Sequence, residues 1–248
     1  LTNLIFLSLY GNNLDGKIPS EIGNLVNLTH LELDRNDLND EVPSDIENLI
    51  NLDFLSLYGN NIDGEIPIEI WNLTNLDWLN LGGNNFFGII TEEVENLENV
   101  KTLLLGFNNL DGGIPPEFGN LTSLECTYLQ HNNFSGELPS EIGNLTNLWG
   151  LFLYNNLDLN GEIPESIGNL TNLHILRLND NQLNGFIPDS ICNLEINFSL
   201  SGFNISNNEF CPPYPSCINN FVGYQDTTEC IECSELNGDI NNDNQVNI

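Results

Sequence analysis

Nine aromatic residues recur within short leucine-rich stretches: Phe6, Tyr10, Phe54, Tyr58, Trp78, Phe107, Tyr128, Phe152 and Tyr154. Alternation with leucines puts such rings on the face opposite the leucines. Rings exposed on a rigid surface are what peptide and sugar ligands pack against. His30, Glu32, Asp34, Arg35 and Arg177 add polar contacts to the same face. Strands favour aromatics anyway, and neighbours shield one another, but nine rings on one face favour a binding surface. Catalysis has less support. His30, His131 and His174 have no serine or cysteine nucleophile at a fixed spacing, and no nucleotide or metalloprotease motif occurs. The chain reads as a non-catalytic module that recognises a protein, peptide or glycan, with passive structural adhesion as the other class.

Cysteines carry the remaining chemistry. Cys126 stands alone and reads as a small, semi-buried thiol. Cys192, Cys211, Cys217, Cys230 and Cys233 crowd the last quarter, which argues for disulfides and an oxidising compartment. Four of them allow three pairings, so at least one bridge is expected among Cys192, Cys211, Cys217 and Cys230. A zinc site built from Cys230-x-x-Cys233 with Cys211 and Cys217 is the weaker alternative, since the second pair has the wrong spacing and no usable histidine follows.

The elements that position these residues come from a repeat. Starting at Leu4, a 24-residue unit opens again at Leu28, Leu52, Leu76, Val100, Leu124 and Leu148. One inserted residue near Leu159 moves the next start to Leu173, and a looser unit begins at Leu200. Within each unit the period of two around Leu4, Leu7 and Leu9 predicts a short strand with one buried face. Strands are expected near residues 6–10, 30–34, 54–58, 78–82, 102–106, 126–130, 150–154, 175–179 and 202–206, with Leu7, Leu9 and their counterparts buried. An asparagine follows in every unit (Asn12, Asn36, Asn60 and onward), and its amide can satisfy backbone groups on two adjacent rungs. Gly16 permits a positive φ and Pro19 pre-sets the next turn, after which Ile18, Ile22 and Leu25 point inward. Asp40, Thr91 and Thr127 depart from the pattern at glycine, proline and leucine positions.

The segments LDGKIP, IDGEIP, LDGGIP, FSGELP, LNGEIP and LNGFIP make the array resemble plant-type leucine-rich repeats over residues 1–210. The resemblance implies an α/β solenoid: a curved right-handed superhelix with a parallel sheet on its concave face and an irregular or 3-10 convex side. It also implies a cysteine-rich cap over residues 211–234, since CPPYPSC resembles the C-terminal seal of extracellular members. Cys192 and Cys217 fall within two positions of each other on adjacent rungs, which makes them one candidate pair; Cys233 is left over. Ligand-binding positions are expected at the nine aromatics with His30 and Arg177.

Residues 235–248 change character. GDINNDNQVN resembles the first calcium loop of a type I dockerin. On that resemblance Asp239, Asn241 and Asp243 would offer side-chain oxygens and Gln245 its carbonyl to Ca2+. Asn244 replaces the usual glycine, and the twelfth loop position lies beyond Ile248, so the loop reads as truncated; an acidic linker is the alternative. A complete loop would imply a cohesin-like partner, and a parent chain carrying a polysaccharide-degrading enzyme or a surface anchor.

Composition sets outer bounds. Thirty-six acidic residues against four basic ones exclude a basic footprint for nucleic acid. No apolar run reaches membrane-spanning length, so no insertion is expected. The chain lacks methionine and opens in mid-repeat, which suggests an internal fragment of a secreted or cell-surface bacterial protein. Eight N-x-S/T sites arise mostly from the repeat's own N-L-T-N ending.

Overall fold

A computed structural model describes residues 3–199 and 201–230. Nine three- or two-residue strands form one parallel sheet, from Phe6–Ser8 through His30–Glu32, Phe54–Ser56, Trp78–Asn80, Thr102–Leu104, Cys126–Tyr128, Gly150–Phe152 and Ile175–Arg177 to Phe203–Asn204. Each pairs with the strand one unit later: Phe6 lies beside His30, His30 beside Phe54 and Phe54 beside Trp78. Corresponding residues therefore line up in lanes along the solenoid, about 4.8 Å per rung.

The first eight strands begin where the period places them and the last begins one residue late, at Phe203; all end two residues early. Pairing itself continues, with Leu57 N–H donating to Asn80 (2.8 Å) and Gly59 N–H to Gly82 (3.0 Å). Regular strand geometry gives way to a left-handed residue three positions after each strand's end. Gly11, Arg35, Gly59, Gly83, Phe107, His131, Asn155, Asp180 and Asn207 all have φ between 53° and 66°. The asparagine after it then secures the bend. Asn84 donates to the carbonyls of Leu57 (3.0 Å) and Leu81 (3.1 Å) and accepts from Ile62 N–H (3.1 Å), so one amide ties the backbone of two adjacent rungs together.

Inside, the repeating leucines and isoleucines form a single continuous core, with Leu31, Leu55, Leu79, Leu103, Leu151 and Leu176 fully buried. The first rung is the exception: Leu7 is half-buried and Leu9 is 37% exposed. Both were expected inside, but among the described residues no rung covers that end of the stack. Thr127, at a leucine position, is buried and satisfies its hydroxyl on the Leu103 carbonyl (3.1 Å).

Prolines set the convex side. Pro19, Pro43, Pro115, Pro139, Pro164 and Pro188 each precede a 3-10 turn with φ near −68°, and Thr91 adopts φ −82° in the one unit without the proline. In rung three the turn is instead a short α-helix, Ile68–Trp71, whose Trp71 ring is fully buried at the position that Gly23, Gly119, Gly143 and Gly168 occupy in other rungs. A flank of further short strands, not anticipated from the period, runs beside the main sheet; Ser135–Gly136, Asp158–Gly161, Gln182–Phe186 and Glu209–Cys211 form four of them. The inserted residue is absorbed by an Asn156–Leu159 turn (2.9 Å) that keeps Leu159 buried and pushes Leu157 out to 68% exposure.

The far end is sealed by Cys192–Cys217 and Cys211–Cys230. Both cross-link residues expected to form disulfides, and the first is the pair suggested by rung position. Beneath them Gln225 does what the asparagines do elsewhere: it donates to Ile205 (3.0 Å) and Val222 (2.7 Å) and accepts from Phe210 N–H (3.3 Å). The cap is thus a vestigial tenth rung, with Ile218 and Val222 buried in place of leucines.

Candidate functional site

Side chains leave the sheet face in three lanes, and a fourth lane springs from the left-handed residues beside them. The first lane contains Phe6, His30, Phe54 and Trp78, stacked face to face at 4.2, 4.0 and 5.8 Å with interplanar angles of 10–14°. In-register pairing forces this, because rings on neighbouring rungs must share the spacing of the strands. Stacking covers both faces of His30 and Phe54 and one face each of Phe6 and Trp78. Trp78 Nε1 is buried without a partner.

The second lane brings Tyr128 against Phe152, tilted by 57° at 4.3 Å, with Arg177 next along the same lane. Arg177 Nε has no partner. Tyr10, Tyr58 and Tyr154 belong to the third lane, just beyond the strand ends, and Tyr10 carries the Arg35 guanidinium 5.6 Å above its ring. Phe107 differs from its expected place on the sheet. It occupies the left-handed lane (φ 59°), stacked on His131 at 4.3 Å, and His131 meets the edge of Tyr154 at 5.1 Å. A bulky residue in that conformation is strained by roughly 1–3 kcal/mol, the kind of outlier that clusters at functional sites. The ring contacts therefore make three groups, Phe6–His30–Phe54–Trp78, Tyr128–Phe152 and Phe107–His131–Tyr154, rather than one column.

Among these groups lies a cavity of about 240 Å³ lined by Tyr58, Asn80, Gly82, Leu104, Gly106, Phe107, Tyr128 and Gln130. Two successive rungs have glycine in the third lane, and neither has a positive φ. Their role is steric. A Cβ on Gly82 would come within 3.0 Å of the Gly106 carbonyl, and one on Gly106 within 2.9 Å of Gln130 Nε2. Gln130 is only 4% exposed and its Oε1 has no hydrogen-bond donor. Leaving such an acceptor unmet costs about 1–3 kcal/mol unless a ligand supplies the donor.

Upstream in the third lane, Asp34 is buried and accepts Tyr58 N–H at 2.9 Å. Burial pushes its carboxyl above the usual range, against the pull of that hydrogen bond and nearby Arg35. Cys126 is a free, buried thiol, pushed up to about 12 by desolvation and therefore inert near neutral pH. A larger depression of about 400 Å³ on the convex side is lined by Glu92, Glu93, Glu95, Glu117 and Glu141. It is shallow and carries no ring or unmet buried donor, so the sheet face is the better site. Among the described residues no cluster suits a metal and no helix is long and apolar enough to cross a membrane. The calcium positions Asp239, Asn241, Asp243 and Gln245, together with Cys233, lie outside the described residues.

The period singles out the aromatics but misses Gly82, Gly106 and Gln130, because glycines read as turn residues and a lone glutamine as polar surface. Counting 24 residues on from Tyr58 reaches both glycines, and a third step reaches Gln130.

Residues 3–25, 27–49, 51–73, 75–97, 99–121, 123–145 and 172–194 match the family model described as Leucine Rich Repeat. Comparison with curated proteins gave no match. Among solved structures the chain is similar to the plant peptide hormone receptor RGFR1 in complex with RGF2, at 39% identity and TM-score 0.79 over 85% of this chain and 33% of that one. It is similar to the ectodomain of the membrane receptor kinase GASSHO1/SCHENGEN3 from Arabidopsis thaliana, in complex with CASPARIAN STRIP INTEGRITY FACTOR 2, at 38% and 0.79 over 84% and 24%. The Arabidopsis receptor kinase HAESA, in complex with the peptide hormone IDA and the co-receptor SERK1, matches at 32% and 0.83 over 90% and 38%. The chain spans between about a quarter and two fifths of the length of these proteins.

Proposed function

Since the chain belongs to the leucine-rich repeat family, we propose that it is a non-catalytic, extracellular binding module whose sheet face holds a peptide or a peptide-like segment of a protein. The carrying observation is the cavity between Tyr58 and Gln130, set in a face that also carries stacked rings. Sugar recognition uses the flat faces of aromatic rings, and here Phe54 has a ring against both of its faces and Phe107 has one against His131; this favours a peptide over a glycan. Two disulfides fit an oxidising, secreted or cell-surface setting. Similarity to receptors solved with peptide ligands supports the same reading. No catalytic role is assigned to any residue.

The test begins with peptides selected from a random display library against the intact chain. Trp78→Ala should weaken the selected peptides about tenfold, near 1.4 kcal/mol, while Glu69→Ala on the convex side leaves them unchanged. Both variants must melt with the parent. Loss in Glu69→Ala with none in Trp78→Ala would move the ligand to the other face.

The tail reading is a separate proposal, in which Asp239, Asn241 and Asp243 coordinate Ca2+ and a completed loop docks a cohesin-like partner. Calorimetric titration of the chain with CaCl2, against an Asp239→Ala/Asp243→Ala variant, tests it; equal heats would end it.

A further inference from the structure

We propose that the cavity between rungs three and six receives one cationic side chain, an ammonium or a guanidinium, from the partner peptide. This rests on the sheet face being the binding surface and adds the chemistry of its central contact. Tyr58, Phe107 and Tyr128 line the cavity on different sides, over a floor opened by Gly82 and Gly106. Phe107 stacks one face on His131, and its ring lines the cavity. Ring faces carry negative charge density and attract cations, most strongly where water is excluded.

Two further observations point the same way. The cavity lining has no charged group of its own, while the whole chain carries a formal charge of −32 with only four cations. That field draws a cation in and opposes a carboxylate. Gln130 lines the cavity and its Oε1 is a buried acceptor with no donor, so a cationic N–H that reaches it would form a charge-assisted bond. An aliphatic side chain would fill the volume but leave Oε1 unmet and gain nothing from the field. The molecule already pairs a guanidinium with a ring on this face, Arg35 over Tyr10, three rungs from the glycine floor.

The experiment uses N-acetyl-arginine methylamide, N-acetyl-lysine methylamide and the neutral N-acetyl-norleucine methylamide, titrated at low salt into the intact chain with the ring protons followed by NMR. Either cationic probe should shift Tyr58, Phe107 and Tyr128, and norleucine should bind at least about tenfold more weakly. Gln130→Met, which keeps the volume and removes the acceptor, should weaken the cationic probes. Phe107→Gly should weaken them too while melting no lower than the parent, because glycine relieves the left-handed strain. Norleucine binding as tightly as arginine, or cationic probes that leave the three rings unmoved, would overturn the proposal. The two readings fail separately. Selected peptides that depend on Trp78 but tolerate loss of every Lys and Arg sink the cation site and leave the binding face standing. Peptides indifferent to the sheet face remove the face itself, whatever the small probes do.

Discussion

Asp34 shows how a single residue sets the chemistry of this face. Its carboxyl is buried and pushed above the usual range mainly by desolvation, so the native state holds its proton to higher pH than the unfolded chain does. The unfolded state therefore ionises first as pH rises. Stability present below the ordinary carboxylate range is lost as pH climbs through the raised native value. Asp34→Asn keeps an acceptor for Tyr58 N–H and removes the charge. It should melt with the parent near about pH 3 and above it near about pH 7 in calorimetry, by more than an exposed control such as Glu69→Gln. A constant difference across that range would show that burial is not the cause. At this scale the sequence is only partly legible. The turn glycines such as Gly16 advertise their positive φ, whereas the second left-handed position is filled by Arg35, Phe107, His131, Asn155, Asp180 and Asn207 and leaves no compositional mark. Phe107 was for that reason assigned to the strand face, one residue from its actual lane.

Within a rung, the asparagine carries more than the strand it follows. Asn84 joins the backbone of two adjacent rungs, and its removal strands Ile62 N–H in the core, while the carbonyls of Leu57 and Leu81 each keep one amide, from Asn60 and Asn108. With one unmet buried donor at about 1–3 kcal/mol and two amide hydrogen bonds lost besides, Asn84→Ala should cost roughly 3 kcal/mol in denaturant unfolding. Asn12→Ala, at the exposed first rung, should cost less than half of that. Equal losses would mean that the ladder's burial is irrelevant. The strand starts, the asparagine ladder and the proline-led convex turns were all readable from the 24-residue period. The flank strands were not, since two-residue pairings such as Asp15–Gly16 with Asp37–Leu38 fall below any alternation signal. Gln225 escaped notice because the cap breaks the spacing, although it stands three residues after buried Val222 as each ladder asparagine stands three after a core leucine.

Across the whole molecule, stability is a sum over neighbours, and the two ends are unequal. Among the described residues the first rung is covered on one side only, while the last two are each locked to the cap by one bridge, and the loops of the two bridges overlap in sequence. The cavity lies in the middle rungs, away from either end. Seen as a cable under tension, the overlapping bridges act as a knot. Held by its two ends, the chain should peel from the first rung, each 24-residue unit paying out roughly 80 Å of slack. Between residues 192 and 230 the taut path runs through one bridge, back from 217 to 211, and out through the other, so it has only 6 residues of slack where the open chain has 38. In optical tweezers a reductant should therefore add a final lengthening of about 110 Å after the last rung gives way, and that step should vanish without it. A trace ending at the same length in both conditions would mean that the knot was never tied.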